Sequence, residues 1–269
     1  MASLNADAML PRAEHLVRSQ PLRGALAVAG GTALLAFLNF AYQDYRAYVA
    51  LGPHGLPDTF RGWCTQLQMV LISRPEKETT VPAPWSMADM VRAYGTNAAR
   101  SFLTRPLSPR SGSRPQLCKY VAPQRQMNDR ASQTMKEDMF AYLRTLAEVN
   151  PAVLQVGNSF LEGPVPGALQ LRQDVDIPDF LTKTKGEIAH IHPPDGSTHL
   201  ELSPADSKTV IELGWGQRHR LSGPYIPWGY TLVYAPKDRR EMEEWKNVVG
   251  AAARYCAAEL EAVQDPKET

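Results

Sequence analysis

Four of the six histidines of this 269-residue sequence lie in one segment, between residues 190 and 219. The ordinary pKa of histidine lies close to neutral pH, and its neutral imidazole is a common ligand of transition metals. A group of histidines in one short segment is therefore a candidate for proton transfer or for metal binding. The four residues are His190, His192, His199 and His219.

Three of these histidines flank an Asp-Gly pair at residues 195–196, which predicts a β-hairpin with a two-residue turn. In that register His192 lies opposite His199, and His190 lies opposite Glu201. Because side chains alternate between the faces of a strand, one face carries the three histidines together with Glu201. The other face carries apolar residues suited to a core, namely Ala189, Ile191, Leu200 and Leu202.

Two kinds of chemistry fit a face with three imidazoles and a carboxylate. His190, His192, His199 and Glu201 could supply ligands to iron, manganese, zinc or copper. Alternatively, one imidazole could act as a general base, because neighbouring imidazoles disfavour each other's protonation. A polar, exposed hairpin face without a function is the third interpretation. We favour acid–base catalysis, with metal binding as the alternative.

A second group of candidate site residues follows in GWGQRHRLSG, residues 214–223. Its glycines allow a tight turn around Trp215, which offers a flat aromatic surface or, alternatively, packs in the core. Arg218 supplies a permanent positive charge, and His219 another proton acceptor. Upstream of the hairpin, Lys185 is a possible second cation or simply a solvated lysine. These candidates are Lys185, Trp215, Gln217, Arg218 and His219.

The rest of the sequence predicts helices and strands that position these segments. A capping box formed by Thr134 and Glu137 begins a helix that ends at Asn150. Pro204 begins a second helix, which ends before residue 214, and Asp238 begins a third, amphipathic helix. Short strands are predicted at 153–162, 167–171 and 229–235, and a long loop at 73–125.

This order of elements predicts an α+β fold, a single domain with a mainly antiparallel sheet flanked by helices. The domain is expected to span residues 44–269. The formal net charge of +1 gives the chain no overall field that would attract nucleic acid. Its three cysteines are widely spaced without a CxxC pair, which argues against a thiolate zinc site and a disulfide framework.

An uncharged, apolar segment at residues 24–43 precedes the domain and follows a polar segment, 1–23. Its 20 residues match the length that an α-helix needs to cross a bilayer. The sequence therefore predicts a single-pass membrane anchor, with a cleaved signal peptide or a core helix as alternatives. Three arginines precede the segment and one follows closely, which favours a cytoplasmic N-terminus.

Several motifs resemble the fungal luciferase family, and they extend over most of the chain. In the N-terminal part the matches are Asp44-Tyr45, Gly52-Pro53 and Phe60-Arg61-Gly62. They are densest between residues 182 and 236, where they comprise Thr184-Lys185, Glu187-Ile188-Ala189-His190, His192, Thr198-His199-Leu200, Gly214 to His219 and Gly223. The region 64–150 matches loosely.

The resemblance implies a membrane-associated oxygenase, expected in an endomembrane, with a small-molecule α-pyrone and O₂ as partners. Fungal luciferases oxidise 3-hydroxyhispidin through a peroxide, release CO₂ and emit light. The family implies no cofactor beyond O₂, so we expect no metal, and no nucleic-acid partner. A non-luminescent oxygenase for another pyrone or phenolic compound, a metal-dependent enzyme and a membrane-anchored binding protein are the alternatives.

Within this family interpretation the candidate residues receive roles. His190 or His192 would remove the enol proton of the pyrone, while Glu201 or His199 fixes the tautomer of that base. Arg218 and His219 would stabilise the negative charge of the enolate and the peroxide. Trp215 would stack on the substrate, and Gln217 and Lys185 would help to bind it.

Overall fold

The protein is described here by a computed structural model that covers residues 21–52, 55–163 and 165–267. The chain divides into two compact units, with the division between Ala50 and Leu51. Most of the predicted polar segment 1–23, including Arg12 and Arg18, lies outside the described residues, as does Pro53.

The described part of the first unit is a single helix, α1, at Pro21–Val49. It includes the predicted segment 24–43 and is longer than predicted. Its 29 residues correspond to a length of ~43 Å, compared with ~30 Å for the hydrocarbon core of a bilayer. Large apolar side chains such as Leu35 and Phe37 are exposed along it. Length and composition thus allow α1 to cross a membrane, as they would for a signal sequence.

The second unit is built on a six-stranded antiparallel sheet with the strand order β1-β2-β3-β4-β6-β5. This confirms the predicted α+β class. The strands are β1 at Leu154–Asn158, β2 at Pro166–Leu171, β3 at Glu187–Ile191, β4 at Thr198–Glu201, β5 at Gly216–Arg218 and β6 at Tyr230–Val233. The helices of this unit are α2 at Phe60–Ile72, α3 at Met87–Tyr94, α4 at Gln133–Val149, α5 at Pro204–Glu212 and α6 at Arg239–Cys256.

Helices α4 and α6 cover the apolar face of the sheet, with α4 against β1 and β2 and α6 against β3 and β4. The predicted apolar stripes of both helices are buried, for example Leu143 of α4 and Val248 of α6. Each such aliphatic side chain contributes ~2 kcal/mol by leaving water. The indole nitrogen of Trp245 donates to Thr198 Oγ1 at 3.0 Å, which ties α6 to β4.

Two predicted helix starts are confirmed and one is wrong. Ser203 and Asp238 cap α5 and α6, because their side chains accept backbone N–H groups of the first turn. Helix α4 instead begins one residue before the predicted Thr134, with Ser132 as its cap, accepting from the backbone nitrogen of Met135 at 3.1 Å. Both hydroxyl residues can cap a helix, and the earlier cap adds backbone hydrogen bonds.

The stretch 73–125 is more ordered than the predicted long loop. It contains α3, and the backbone around residue 102 is held by a buried carboxylate. Asp206 accepts from Ser101 Oγ at 2.6 Å and from the backbone nitrogen of Phe102 at 2.8 Å. Side-chain acceptors thus replace the hydrogen bonds that regular secondary structure would supply, and a pattern of Pro and Ser does not reveal such distant partners.

The hairpin of β3 and β4 forms, but its register differs by two residues from the predicted one. His190, not His192, lies opposite His199. The connection is a four-residue loop, 193–196, in which Gly196 donates to the carbonyl of His192 at 2.8 Å. Pro193 and Pro194 have no N–H and cannot extend the ladder. A shift of two residues leaves every side chain on its predicted face.

Candidate functional site

Three histidines of the hairpin converge with a glutamate on the sheet face opposite α6. His199 Nδ1 lies 3.1 Å from His192 Nε2 and 3.3 Å from His190 Nε2. The fourth member is Glu162, whose Oε1 lies 3.4 Å from His192 Nε2 and 3.6 Å from His190 Nε2. All four side chains are buried, and one atom from each lies within 4.8 Å of the other three. We call these residues the histidine–glutamate cluster.

The ring nitrogen of each histidine that points away from the cluster has an oxygen partner. His190 Nδ1 contacts Glu187 Oε1 at 2.5 Å, and His199 Nε2 contacts Gln124 Oε1 at 2.9 Å. His192 Nδ1 lies 2.8 Å from Ser197 Oγ, and that hydroxyl donates to the carboxylate of Asp195. Because these oxygens act as acceptors, each outward nitrogen donates a proton.

A β-bulge brings Glu187 to the histidines. Consecutive residues of β2, Leu169 and Gln170, pair with Ala189 and Glu187, so Ile188 is an extra residue on β3. The extra residue breaks the regular alternation of faces, which would otherwise place Glu187 opposite His190. Backbone nitrogen 160 also donates to the Glu187 carboxylate, at 2.6 Å. Sequence reasoning missed Glu187 because it assumed an unbroken strand.

Two segments outside the hairpin cover the histidines. One carries Gln124 and Arg125, and the other carries Glu162 shortly after β1. Arg125 forms a buried, two-pronged ion pair with Glu162, in which Nη1 lies 3.0 Å from Oε1. Residues 124 and 125 belong to the predicted long loop, and residue 162 ends a predicted strand. No local motif in either segment indicates a site, so these contacts could not be predicted from the sequence.

The hairpin and its neighbourhood match known luciferases. A Luciferase domain family model matches residues 185–252. A protein named Luciferase from Armillaria gallica is 27% identical over 255 residues, which cover 87% of this chain and 88% of the relative. A Luciferase from Neonothopanus nambi is 26% identical over 251 residues, with coverages of 86% and 87%. The chain is thus similar to fungal luciferases over most of its length. No solved structure matches it.

The matched luciferase domain contains the three histidines of the cluster, whereas Glu162, Arg125 and Gln124 precede it. The two relatives cover those earlier residues as well. Similarity to proteins named Luciferase supports oxidation chemistry in general and a small-molecule substrate.

Protonation differs sharply among the four histidines of this part of the chain. Burial lowers the pKa of His190, but hydrogen bonds that the imidazole donates to Glu162 and Glu187 outweigh burial and raise this pKa to about 9. Burial, with the charge of Arg125, lowers the pKa of His192 to about 3. Burial also lowers the pKa of His199, and that of His219 to about 4. Without a bound cation, the protein at pH 7 therefore holds one extra proton, on His190.

His219 lies beside the cluster rather than in it. Its ring centre is 5.3 Å from that of His199. Its Nδ1 accepts the backbone N–H of Leu221 at 3.1 Å. Tyr230 stacks on His199, with ring centres 5.0 Å apart, and its ring centre lies 5.8 Å from that of His219. These two rings therefore fix the orientation of His199.

Glu201 does not join the cluster, although it projects from the same strand face as His199. Its side chain is fully buried, and Oε2 has no hydrogen-bond partner among the described residues. Burial raises the pKa of this carboxyl group well above its ordinary value. The carboxylate beside the three histidines, predicted to be that of Glu201, is that of Glu162.

Two predicted site residues that follow the hairpin, Trp215 and Arg218, make contacts that hold the fold together. Trp215 is buried in the core, and its indole nitrogen donates to the carbonyl of Ser108. Arg218 donates to backbone carbonyls at 81, 82 and 228. Stacking by Trp215 and charge stabilisation by Arg218 are therefore not supported by these contacts, since neither side chain reaches the cluster.

The two remaining candidates also point elsewhere. Gln217 accepts from the hydroxyl of Tyr234 and donates to Thr79 Oγ1. Lys185 has a left-handed backbone conformation, and its ammonium group lies 5.2 Å from the ring centre of Phe160. Arg125, rather than Arg218 or Lys185, is the cation that contacts the cluster.

Proposed function

We propose that this protein is a membrane-anchored oxygenase that oxidises 3-hydroxyhispidin, or a closely related hydroxylated α-pyrone, at the histidine–glutamate cluster. The single observation that carries the proposal is the convergence of three buried histidines, which lie in the matched Luciferase domain, with Glu162, which precedes that domain. Helix α1 is the proposed anchor. An endomembrane location is part of the same proposal.

In the proposed reaction the enol of the pyrone loses a proton and the resulting carbanion adds O₂. The peroxide formed attacks the ring carbonyl and displaces the ring oxygen, which takes back the proton. The O–O bond and the C–C bond to the carbonyl carbon then break together as CO₂ leaves. One oxygen atom of O₂ stays in the new carbonyl group and the other leaves in CO₂. Formation of that carbonyl group in an excited state accounts for the emission of light. The oxidant is O₂, so no external reductant is needed.

The cluster offers two ways to remove the enol proton. In the first, neutral His192 accepts it, because the lowered pKa leaves this imidazole unprotonated at pH 7. His190, which holds the extra proton, would then stabilise the enolate charge. In the second, the cluster would hold a cation, and that cation would make the enol more acidic. The contacts of the ring nitrogens favour the second way.

Substrate entry requires movement in this proposal, since the histidines are at most 6% exposed. The segments that carry Gln124 and Glu162 cover the cluster and would have to open. Their attachments to the sheet are side-chain contacts rather than β-ladders. A flat pyrone could enter between them and the hairpin.

The test is to add 3-hydroxyhispidin to the detergent-solubilised full-length chain in air and to record photons and oxygen consumption together. Light with equimolar oxygen uptake and CO₂ release is the expected result. Oxygen uptake without light would retain the oxygenase and refute luminescence. The absence of both light and oxygen uptake would refute this substrate class.

A further inference from the structure

We propose that His190, His192, His199 and Glu162 bind one divalent transition-metal ion. The ligand atoms are Nε2 of His190, Nε2 of His192, Nδ1 of His199 and Oε1 of Glu162. The sequence led us to expect no metal, and in the alternative ligand set that it offered, Glu201 stood in the place of Glu162.

The first argument is the tautomer of each ring. Glu187, Ser197 and Gln124 each accept a proton from an outward ring nitrogen. A neutral imidazole carries only one N–H, so each inward nitrogen presents a lone pair. Three lone pairs and a carboxylate oxygen are then directed at one buried point. Such an arrangement is repulsive unless a metal ion at that point or, in its absence, the extra proton on His190 compensates it.

The second argument is distance. The inward nitrogens are 3.1 and 3.3 Å apart in the two closest pairs. Two ligands that each lie ~2.1 Å from one ion are separated by ~3.0 Å at an angle of 90° and by ~3.4 Å at the tetrahedral angle. The observed spacing therefore matches ligands that share one ion. The carboxylate oxygen, at 3.4 and 3.6 Å from two of the nitrogens, fits the same geometry.

The third argument is the support around the ligands. Metal-binding histidines almost always donate their other N–H to a carboxylate, a carbonyl or a hydroxyl group. The partners found here are the Glu187 carboxylate, the Ser197 hydroxyl backed by Asp195, and the Gln124 amide. Glu162 is oriented in turn by Arg125. Four ligands with four separate supports are more than an accidental cluster of histidines would have.

The ligand set also limits the metal. Three imidazoles and one carboxylate suit iron, manganese, cobalt, copper or zinc, and they are a poor set for Mg²⁺ or Ca²⁺, which prefer oxygen ligands. Four protein ligands leave positions free on an ion that prefers six. Among these ions we propose Fe²⁺ or Mn²⁺. This choice rests on the proposed function, because these ions can bind an enolate oxygen at a free position.

The test uses the full-length chain in detergent after its metal has been removed by dialysis against a chelator. Co²⁺ is the probe, because its visible absorption reports the number and type of its ligands. We expect saturable binding of one Co²⁺ per chain, with displacement by Cu²⁺, which binds nitrogen and oxygen ligands more tightly than Co²⁺ does. Thermal unfolding gives a second measurement that needs no activity, since an ion that binds only the folded chain raises its Tm.

A matched pair of variants locates the site. Glu162→Gln should weaken Co²⁺ binding at least ~10-fold and abolish the rise in Tm. Glu241→Gln is the control, because Glu241 also forms a buried ion pair with an arginine, Arg110, at 3.4 Å, away from the cluster. It should bind Co²⁺ as the wild type does. Should Glu162→Gln fail to fold, His199→Gln tests the same point.

Equal Co²⁺ affinity and spectra in wild type and Glu162→Gln, or no binding by the wild type, would overturn the metal site. The result is separable from the proposed function. A chain that binds Co²⁺ as expected but never oxidises a pyrone retains the metal centre and refutes the function. A fully metal-free chain that oxidises the pyrone at the wild-type rate refutes a metal role in the reaction and retains the function.

Discussion

Replacing Glu201 by Gln should remove a pH-dependent loss of stability. Glu201 is fully buried, and burial raises the pKa of its carboxyl group well above 4.5. The unfolded chain releases this proton above pH ~4.3, whereas the folded chain retains it. The stabilising contribution is therefore complete below the unfolded pKa and is lost as the pH rises through the folded pKa.

The magnitude follows from proton linkage. While the folded carboxyl stays protonated and the unfolded one is ionised, each pH unit removes ~1.4 kcal/mol of the free energy of unfolding. For a unit of about this size that loss corresponds to ~3–6 °C in Tm. Four groups interact electrostatically with Glu201, and burial raises the pKa of each of them, so they are neutral between pH 5.5 and 7.5. They are Tyr94, Tyr230, Tyr255 and Cys256.

The assay compares the Tm of wild type and Glu201→Gln at pH 5.5 and 7.5, in one detergent and at constant ionic strength. Other titrating groups are the same in both proteins, so the change in their Tm difference isolates residue 201. The Tm of Glu201→Gln should increase relative to the Tm of the wild type as the pH rises. A Tm difference that is the same at both pH values would refute the reasoning, since it would mean that the carboxyl ionises in the folded chain.

Three further predictions concern other parts of the molecule. Arg125→Met should lower the free energy of unfolding by ~3–5 kcal/mol in denaturant titrations, because it leaves buried Glu162 without its ion pair; a loss below ~1 kcal/mol would contradict this. Gly196→Ala should lower Tm, since Gly196 has φ +82° and an added Cβ would lie 2.6 Å from Ala131 Cβ; an unchanged Tm would show that the loop differs. The full chain should remain in the membrane pellet after alkaline carbonate washing, as α1 predicts, and release into the supernatant would refute anchoring.

The histidine face could be predicted from the sequence because it depends only on strand alternation. The predicted register was wrong, because the prediction followed the Asp-Gly turn signal and not the two prolines before it, which cannot extend the ladder. The error shifted the pairing by an even number of residues, and so His190, His192 and His199 still share a face.

The supporting residues could not be predicted, for two physical reasons. Glu187 reaches His190 through a β-bulge, which has no reliable local signal. Gln124, Arg125 and Glu162 reach the site through contacts between residues distant in sequence. Conversely, Trp215 and Arg218 had suitable chemistry, but the core and three backbone carbonyls engage their side chains.

The measurement that tests the central claim most directly is the rate of oxygen consumption with 3-hydroxyhispidin in wild type and His199→Gln. A matched Glu241→Gln preparation controls for the loss of a buried polar contact. Folding of each protein is checked by its thermal transition. If the histidine–glutamate cluster is the reaction centre, the rate of oxygen consumption should be at least ~100-fold lower in His199→Gln and unchanged in Glu241→Gln. A folded His199→Gln protein that consumes oxygen at the wild-type rate would contradict the account.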